Sequence, residues 1–401
     1  MSSAKLASQM HVAARSSPEP TRTPPHPPRQ KMDLKTWREL APEKKKFVIG
    51  MAIVVAIAYI VCILFSTLVL RDNRVSAAKN HQARMTSGAT EKGDTYSGPG
   101  AASGDVQTVS VGTYVDGIDT FSIKDSSWSA NFYVWFRWTG DKALDPGGKV
   151  IVVDGNITKK ELLEEYHGED GQHYQRLRIS AKFLKFFDTM RVPLEDHMLN
   201  IYIEDGARDS TKLRYVADQG SNVSSRVRIS GYQITDRASV VKPHAYRSSY
   251  GDPRVSDKTE KVFTQYIAGI SIERASIGVY TKIFLSLFAA LALALCSFYV
   301  KASDVGPRFS LPSAAYFGAV ANSYVANSIL PPSGSFGLVD YVAAFGLGTI
   351  ALSLILALLS NFIFVKKDDK ALSYALDRVM FWVLLVFCVL ANILVPWAAL
   401  G

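Results

Sequence analysis

The chain has 401 residues, 48% of them apolar and 20% charged, and a formal net charge of +9. So much apolar content excludes a chain disordered throughout, and three cysteines are too few for a disulfide-framed fold. The surplus Lys and Arg stand beside apolar stretches and form no basic surface of their own, which sets nucleic acid aside as a partner.

Residues 1–46 are polar, Pro-rich (SSPEPTRTPPHPPRQ) and basic, ending in Lys44-Lys45-Lys46. Such a segment buries too little apolar surface to offset its ordering entropy, so a disordered cytoplasmic tail is expected. Phe47–Leu70 follows without a charge. It is longer than the 7–15 residues of a signal-peptide core, so it reads as an N-terminal transmembrane helix. Residues 71–105 are small and polar and read as a flexible linker.

From Val106 the pattern changes to period two. Val106–Val115, Ser129–Trp138, Val150–Val153, Gln175–Phe187, Leu199–Glu204, Val227–Thr235 and Val262–Glu273 read as strands, divided by Gly, Asp, Asn and Ser clusters. Many short strands point to a β-sandwich of immunoglobulin-like type over 106–275. One helical break is expected at Thr158–Glu165, with Thr158 as N-cap and Leu162 and Leu163 inward. Val241–Lys261 reads as a polar hairpin.

Residues 276–401 hold four apolar stretches: Ile283–Val300, Phe309–Leu330, Tyr341–Val365 and Val379–Leu400. None carries a charge, and each has the length of a bilayer span. The second contains Ser310, Ser313, Tyr316, Asn322, Ser323, Tyr324, Asn327 and Ser328, too polar a set for lipid on every side. The joints Lys301–Arg308 and Lys366–Arg378 are basic, and Pro331–Leu338 is not. The positive-inside rule then gives five spans in a plasma or bacterial inner membrane, N-terminus cytoplasmic and C-terminus extracytoplasmic.

Chemistry-bearing motifs are sparse. Glu161, Glu164, Glu165, His167, Glu169, Asp170 and His173 could hold a hard cation, but they match no EF-hand spacing and read as a solvated loop. No H-E-x-x-H, G-x-S-x-G or P-loop occurs, so neither an enzyme nor a cofactor is expected. Trp128, Trp135 and Trp138 read as core. Tyr246 and Tyr250, in the polar hairpin, are candidate ligand contacts. Cys62, Cys296 and Cys388 all lie in apolar stretches, and Asn156 and Asn222 stand in glycosylation-type triplets of the sort chance supplies.

Three stretches resemble the pentameric ligand-gated ion channels, in particular prokaryotic members without a Cys-loop. Arg191–Glu204 (RVPLEDHMLNIYIE) is similar to the family's F-P-F-D-x-Q-x-L-x-I-x-I loop, with Pro193, Glu195, His197 and Leu199 at the Pro, Asp, Gln and Leu places. Ile229–Asp236 resembles the G-W-x-I strand, and Phe263–Arg274 resembles the last strand with the Arg that precedes the first span. Arg308-Phe-Ser-Leu, then Leu330-Pro331, then Leu338-Val-Asp340 resembles the pore helix, its exit and the start of the third span. The N-terminal transmembrane helix is extra to the family pattern.

The resemblance implies a homopentamer around a pore lined by Ser310, Ala314, Phe317, Ala321, Tyr324 and Ser328. Sequence polarity alone favours the neighbouring stripe Ser313, Tyr316, Val320, Ser323 and Asn327. Gating would pass through Pro193, Glu195, Asp196, Arg274 and Pro331. Gly306-Pro307-Arg308 looks like the family's anion-selective pattern, while Asp304 could form an acidic ring. Expected partners are therefore a permeating ion, anion favoured, membrane lipid, and an unknown small-molecule or proton stimulus, with His167, His173 and His197 as titratable candidates. The alternative is a non-conducting receptor or scaffold, favoured by the missing W-x-P strand and the bulky Phe317 and Tyr324.

Overall fold

The computed structural model describes residues 37, 40–87, 106–246, 248, 261–331 and 335–400. The first apolar stretch belongs to a longer helix, α1 (Pro42–Met85). Pro42 stands in its first turn, where a missing N–H breaks no helical bond. The expected linker is corrected over its first part. Residues 71–85 carry neither Gly nor Pro, so nothing stops the helix at Leu70, and it runs on to Met85. The rest of that linker, 88–105, and the tail through residue 36 lie outside the described residues.

Ten strands follow: β1 (Gln107–Ser122), β2 (Ser127–Thr139), β3 (Val150–Val153), β4 (Gly155–His167), β5 (Gln172–Leu184), β6 (Asp196–Asp205), β7 (Leu213–Ala217), β8 (Asn222–Val223), β9 (Tyr232–Tyr246) and β10 (Lys261–Arg274). One sheet has the order β4-β5-β2-β1-β7, with β8 beside β1, and the other the order β3-β6-β10-β9. Alternation decides which side chains meet. In β2, Phe132, Val134, Phe136 and Trp138 are buried, and Tyr133, Trp135 and Arg137 point to the opposite face. The buried set joins Ile201 and Ile203 of β6 and Ile270 and Ile272 of β10 in one apolar cluster drawn from both sheets. Trp128 stacks on Phe183 within it, ring centroids 4.3 Å apart.

Three expectations here are corrected. Thr158–Glu165 is not a helix but the middle of β4, paired antiparallel with β5 through Leu162↔Leu177 and Glu161↔Arg178. Its leucines are both exposed, because neighbours on a strand cannot share a face and β4 is the sheet's edge. A run of good helix formers has yielded to cross-strand pairing. The strand expected at Val227–Thr235 begins only at Tyr232. Residues before it form turns, with Gly231 at φ +77°, a left-handed backbone that a side chain would strain. Trp135 is the third departure: Trp128 and Trp138 are core, but Trp135 lies on the outer face with its indole N–H donated to Asp218 at 2.9 Å.

The C-terminal bundle comprises α2 (Gly278–Cys296, continued by a 3-10 turn to Tyr299), α3 (Val305–Asn327), α4 (Leu338–Lys366) and α5 (Lys370–Ala399). The helix α3 packs against α2 and α4, α5 packs on α4, and α1 runs along α5. Small residues permit these approaches: a Cβ at Gly346 would come within 2.6 Å of Leu287. Among the described residues four helices are long and apolar enough to cross a membrane, namely α1, α2 with its 3-10 turn, α4 and α5. The chain is a membrane protein with a β-rich region followed by helices. The helix α3 is not among the four, since its serines, asparagines and tyrosines lower its apolarity.

Candidate functional site

The loop between β5 and β6 meets the bundle at the base of the β-rich region. Its Val192–Pro193 peptide is cis. Leu194 is buried in the apolar cluster of the helices, not that of the sheets. In return Leu330, at the end of α3, packs against both clusters. The amide of Leu338 donates to the Met190 carbonyl at 2.7 Å. Gly337 lies so close that a Cβ there would stand 2.8 Å from the Met190 oxygen. Pro331 lines a cleft of about 420 Å³ beside Thr189, Asn327 and Asp340. The structure thus brings Pro193, Glu195, Asp196, Arg274 and Pro331 to one junction.

Glu195 organises the charges there. It is 1% exposed, and its Oε1 accepts from Arg274 Nε at 2.9 Å and from the Tyr232 hydroxyl. The Arg274 guanidinium lies over the Tyr232 ring, 4.2 Å from its centroid, a cation–π contact. Burial, then the adjacent Glu195 charge, drives the Tyr232 hydroxyl pKa far up, so the hydroxyl stays a donor. Asp196 pairs with Arg191 at 2.5 Å, and Arg191 is itself almost fully buried.

His197 adjoins this network, packed edge-on against Phe187. Burial, reinforced by Lys185, Arg191, His81 and Arg274, pushes its imidazole down to about 3. It is therefore neutral throughout the physiological range, which removes it as a proton sensor near pH 7. The unfolded chain takes up that proton near 6.5 and the folded chain only near 3, so stability falls as pH drops through the interval. Between pH 7 and 4.5 this group should cost roughly 2–3 kcal/mol. Melting curves at the two pH values should converge in His197→Gln. An equal acid loss in wild type and variant would exclude His197 as a cause.

On α3 the six residues Ser310, Ala314, Phe317, Ala321, Tyr324 and Ser328 are all exposed, Phe317 at 72% and Tyr324 at 77%. They lie opposite the buried face of Arg308, Pro312, Ala315, Ala319, Asn322 and Ala326. The alternative stripe lies at the flank: Ser313, Tyr316 and Asn327 are exposed, and Val320 and Ser323 half-buried. Arg308 does not face outward with them. It is 0% exposed, donating to Asp377 at 2.6 Å and to the Val300 carbonyl at 2.7 Å. Asn322 likewise turns into the bundle and donates to the Ile283 carbonyl at 2.6 Å.

The candidate ligand contacts fare unequally. The Tyr246 hydroxyl donates to Glu204 at 2.9 Å, and His244 and Gln265 both contact the same fully buried carboxylate at 2.7 Å. Tyr250 lies outside the described residues. Of the acidic hairpin, Glu164 pairs with Arg176, Glu161 with Lys159 and Glu165 with His167. Among the described residues no group of three His, Cys, Asp or Glu is placed to hold a metal.

A cleft of about 540 Å³ on the outer face of the larger sheet has no counterpart in the sequence reading. Tyr114, Tyr133, Trp135 and Tyr174 line it with Arg137, Arg176 and Asp218. A Cβ at Gly112 would fall 2.3 Å from the Trp135 indole, so that glycine is what lets the ring lie flat across β1. Burial opposes the Asp218 charge, but the Trp135, Gly220 and Arg137 donors outweigh it and hold this carboxyl below the usual range. The missed signal was alternation, which puts three β2 side chains on one face. At the junction, Met190, Leu194 and Gly337 were also missed. Only Gly337 had a local cue, standing three residues before Asp340, whose carboxylate accepts its amide at 2.8 Å.

Compared with known proteins, the chain matches no family model and no curated protein.

Proposed function

We propose that the chain is the subunit of a homopentameric ion channel, with an extracytoplasmic immunoglobulin-like β-sandwich that gates a pore lined by α3. One observation carries this reading. The exposed face of α3 alternates small hydroxyl or methyl groups with two aromatic rings, on a helix flanked by α2 and α4. A face with that many hydroxyls is poorly matched to lipid, whereas five copies around an axis would give it a shared lumen. Phe317 then forms a ring midway along the pore, able to close it by dewetting.

The two-sheet layout and the junction at Glu195 support the same reading, because they give a stimulus above a route to the end of α3. The cleft around Trp135, with two arginines and four aromatic rings, suits a small anionic or zwitterionic stimulus. Arg308 cannot supply a ring charge while it is paired with Asp377. Selection at the inner end therefore falls to the exposed Lys301 and Asp304, and the anion preference loses its main support.

The test is ion flux in vesicles reconstituted with wild type and Phe317→Ala. Loss of the ring should raise unstimulated flux at least about tenfold, the equivalent of roughly 1.4 kcal/mol of closed-state preference. Silence in both, with pentamers present, would favour a receptor or scaffold of the same arrangement.

A further inference from the structure

We propose that α1 is a strap that transmits displacement between the helical bundle and the Lys185–Asp196 loop at the base of the β-rich region. The inference goes beyond the channel reading and does not depend on whether α3 conducts.

The observation is that one face of one unbroken helix serves both regions. Within the bundle the buried face includes Tyr59, Ile63, Ser66 and Leu70. Tyr59 bonds Thr349 of α4 at 2.6 Å and packs on Phe387 of α5. The same stripe continues at helical spacing through Asn73, Ala77, His81 and Met85, all half-buried while their neighbours Val75, Ala78 and Lys79 are exposed. No Gly or Pro interrupts the helix after Gly50. A helix without such joints resists bending, so a shift or rotation at one end is carried to the other.

The upper contacts are specific. Asn73 donates to Asp188 at 2.7 Å and accepts from Arg191 at 3.1 Å, so one carboxamide holds an acid and a base of the same loop. Arg74 donates to the Leu400 carbonyl at 2.5 Å, tying α1 to the end of α5. His81 lies 3.4 Å from Asp196, and Lys242 of β9 donates to the Ala83 carbonyl. Met85 fills the space over Gly269 of β10, where a Cβ would come within 2.7 Å of its sulfur. At the far end Lys44 pairs with Asp369, between α4 and α5.

Hydrogen exchange on the full-length chain in detergent tests this, read on peptides covering residues 185–196. The amides of Lys185, Met190, Val192 and Leu194 are bonded there and report loosening. Asn73→Ala should speed their exchange about tenfold, as expected for losing two charge-assisted bonds. Gly269→Val, which leaves α1 itself intact and displaces the Met85 tip first, with Asn200 next at 3.5 Å, should do the same at Met190, Val192 and Leu194, away from the Asn200–Lys185 bond, and keeps the test open if Asn73→Ala does not fold. The discriminating variant is Tyr59→Ala, roughly 21 Å down the helix from Asn73. It should speed exchange in the loop about threefold or more. The exposed Leu68→Ala should leave the loop unchanged. Wild-type exchange in Tyr59→Ala, with Asn73→Ala or Gly269→Val accelerated, would reduce α1 to a local brace and overturn transmission. Wild-type exchange in all would overturn the strap entirely.

Discussion

Arg308→Gln should destabilise the bundle by about 3–5 kcal/mol, because it strands a carboxylate in the protein interior. Arg308 joins three elements at once: α5 through Asp377, the turn after α2 through the Val300 carbonyl, and α4 through the Ala357 carbonyl at 3.4 Å. Removing the cation leaves Asp377, itself buried, with no charge of opposite sign among these contacts. The double variant Arg308→Gln with Asp377→Asn should recover much of the loss, since both charges then go together. Arg308→Lys should recover only part, as one ammonium cannot match a planar guanidinium spread over three acceptors. Thermal unfolding in detergent separates these cases. A wild-type melt for Arg308→Gln would show that the pair adds nothing, and an altered reversal potential with normal stability would return Arg308 to the pore.

Arg274→Ala should be about as costly, roughly 3–5 kcal/mol, for the same reason at the other end of the bundle. Glu195 would keep the Tyr232 hydroxyl but lose its one short ionic partner among the described residues, since His197 stands 4.0 Å away. The ring of Tyr232 would also lose the guanidinium stacked on it. Because β10 runs directly from Arg274 into α2, the damage falls where the β-rich region joins the helices. We expect a lowered melting temperature and, on the channel reading proposed above, fewer intact pentamers by native mass spectrometry and weak or absent stimulated flux. Arg274→Lys should keep the charge and lose the stacking, giving an intermediate melt. Normal melting, pentamer yield and flux in Arg274→Ala would remove the Glu195 network from any coupling role.

What the sequence made legible was set by periodicity and charge. β1, β2, β3, β5, β6 and β10 lie where the sequence shows strand runs, and the C-terminal helices where apolar runs lack charge, while β7 and β8 are too short to show a period and β9 starts later than its pattern suggests. Long-range pairing decides the rest. β4 has a helix former's composition, yet β5 lies beside it and supplies the hydrogen bonds. The residues of α1 turn polar after Leu70 and look like a linker in the sequence, but among them Asn73 and His81 meet Asp188, Arg191 and Asp196. Arg308 could be placed at the start of α3, while its direction depended on Asp377, 69 positions further on. The junction was visible through Pro193, Glu195 and Arg274. The apolar stitches beside it, Leu194 and Leu330, have no local signature, since a leucine looks the same in either core.

Those two leucines bear on how the molecule could be taken apart or recombined. Leu194 is a peg from one region seated in the other's core and Leu330 bridges the two, so the two regions should melt as one cooperative unit and not in sequence. A chimaera that joins this β-rich region to a foreign bundle at Arg274 would leave the Leu194 peg without its socket and the sheets' core without the Leu330 that packs against it. The natural crossover would have to carry the Leu194 loop and the Leu330 turn together, as a matched cassette inherited with whichever half is exchanged.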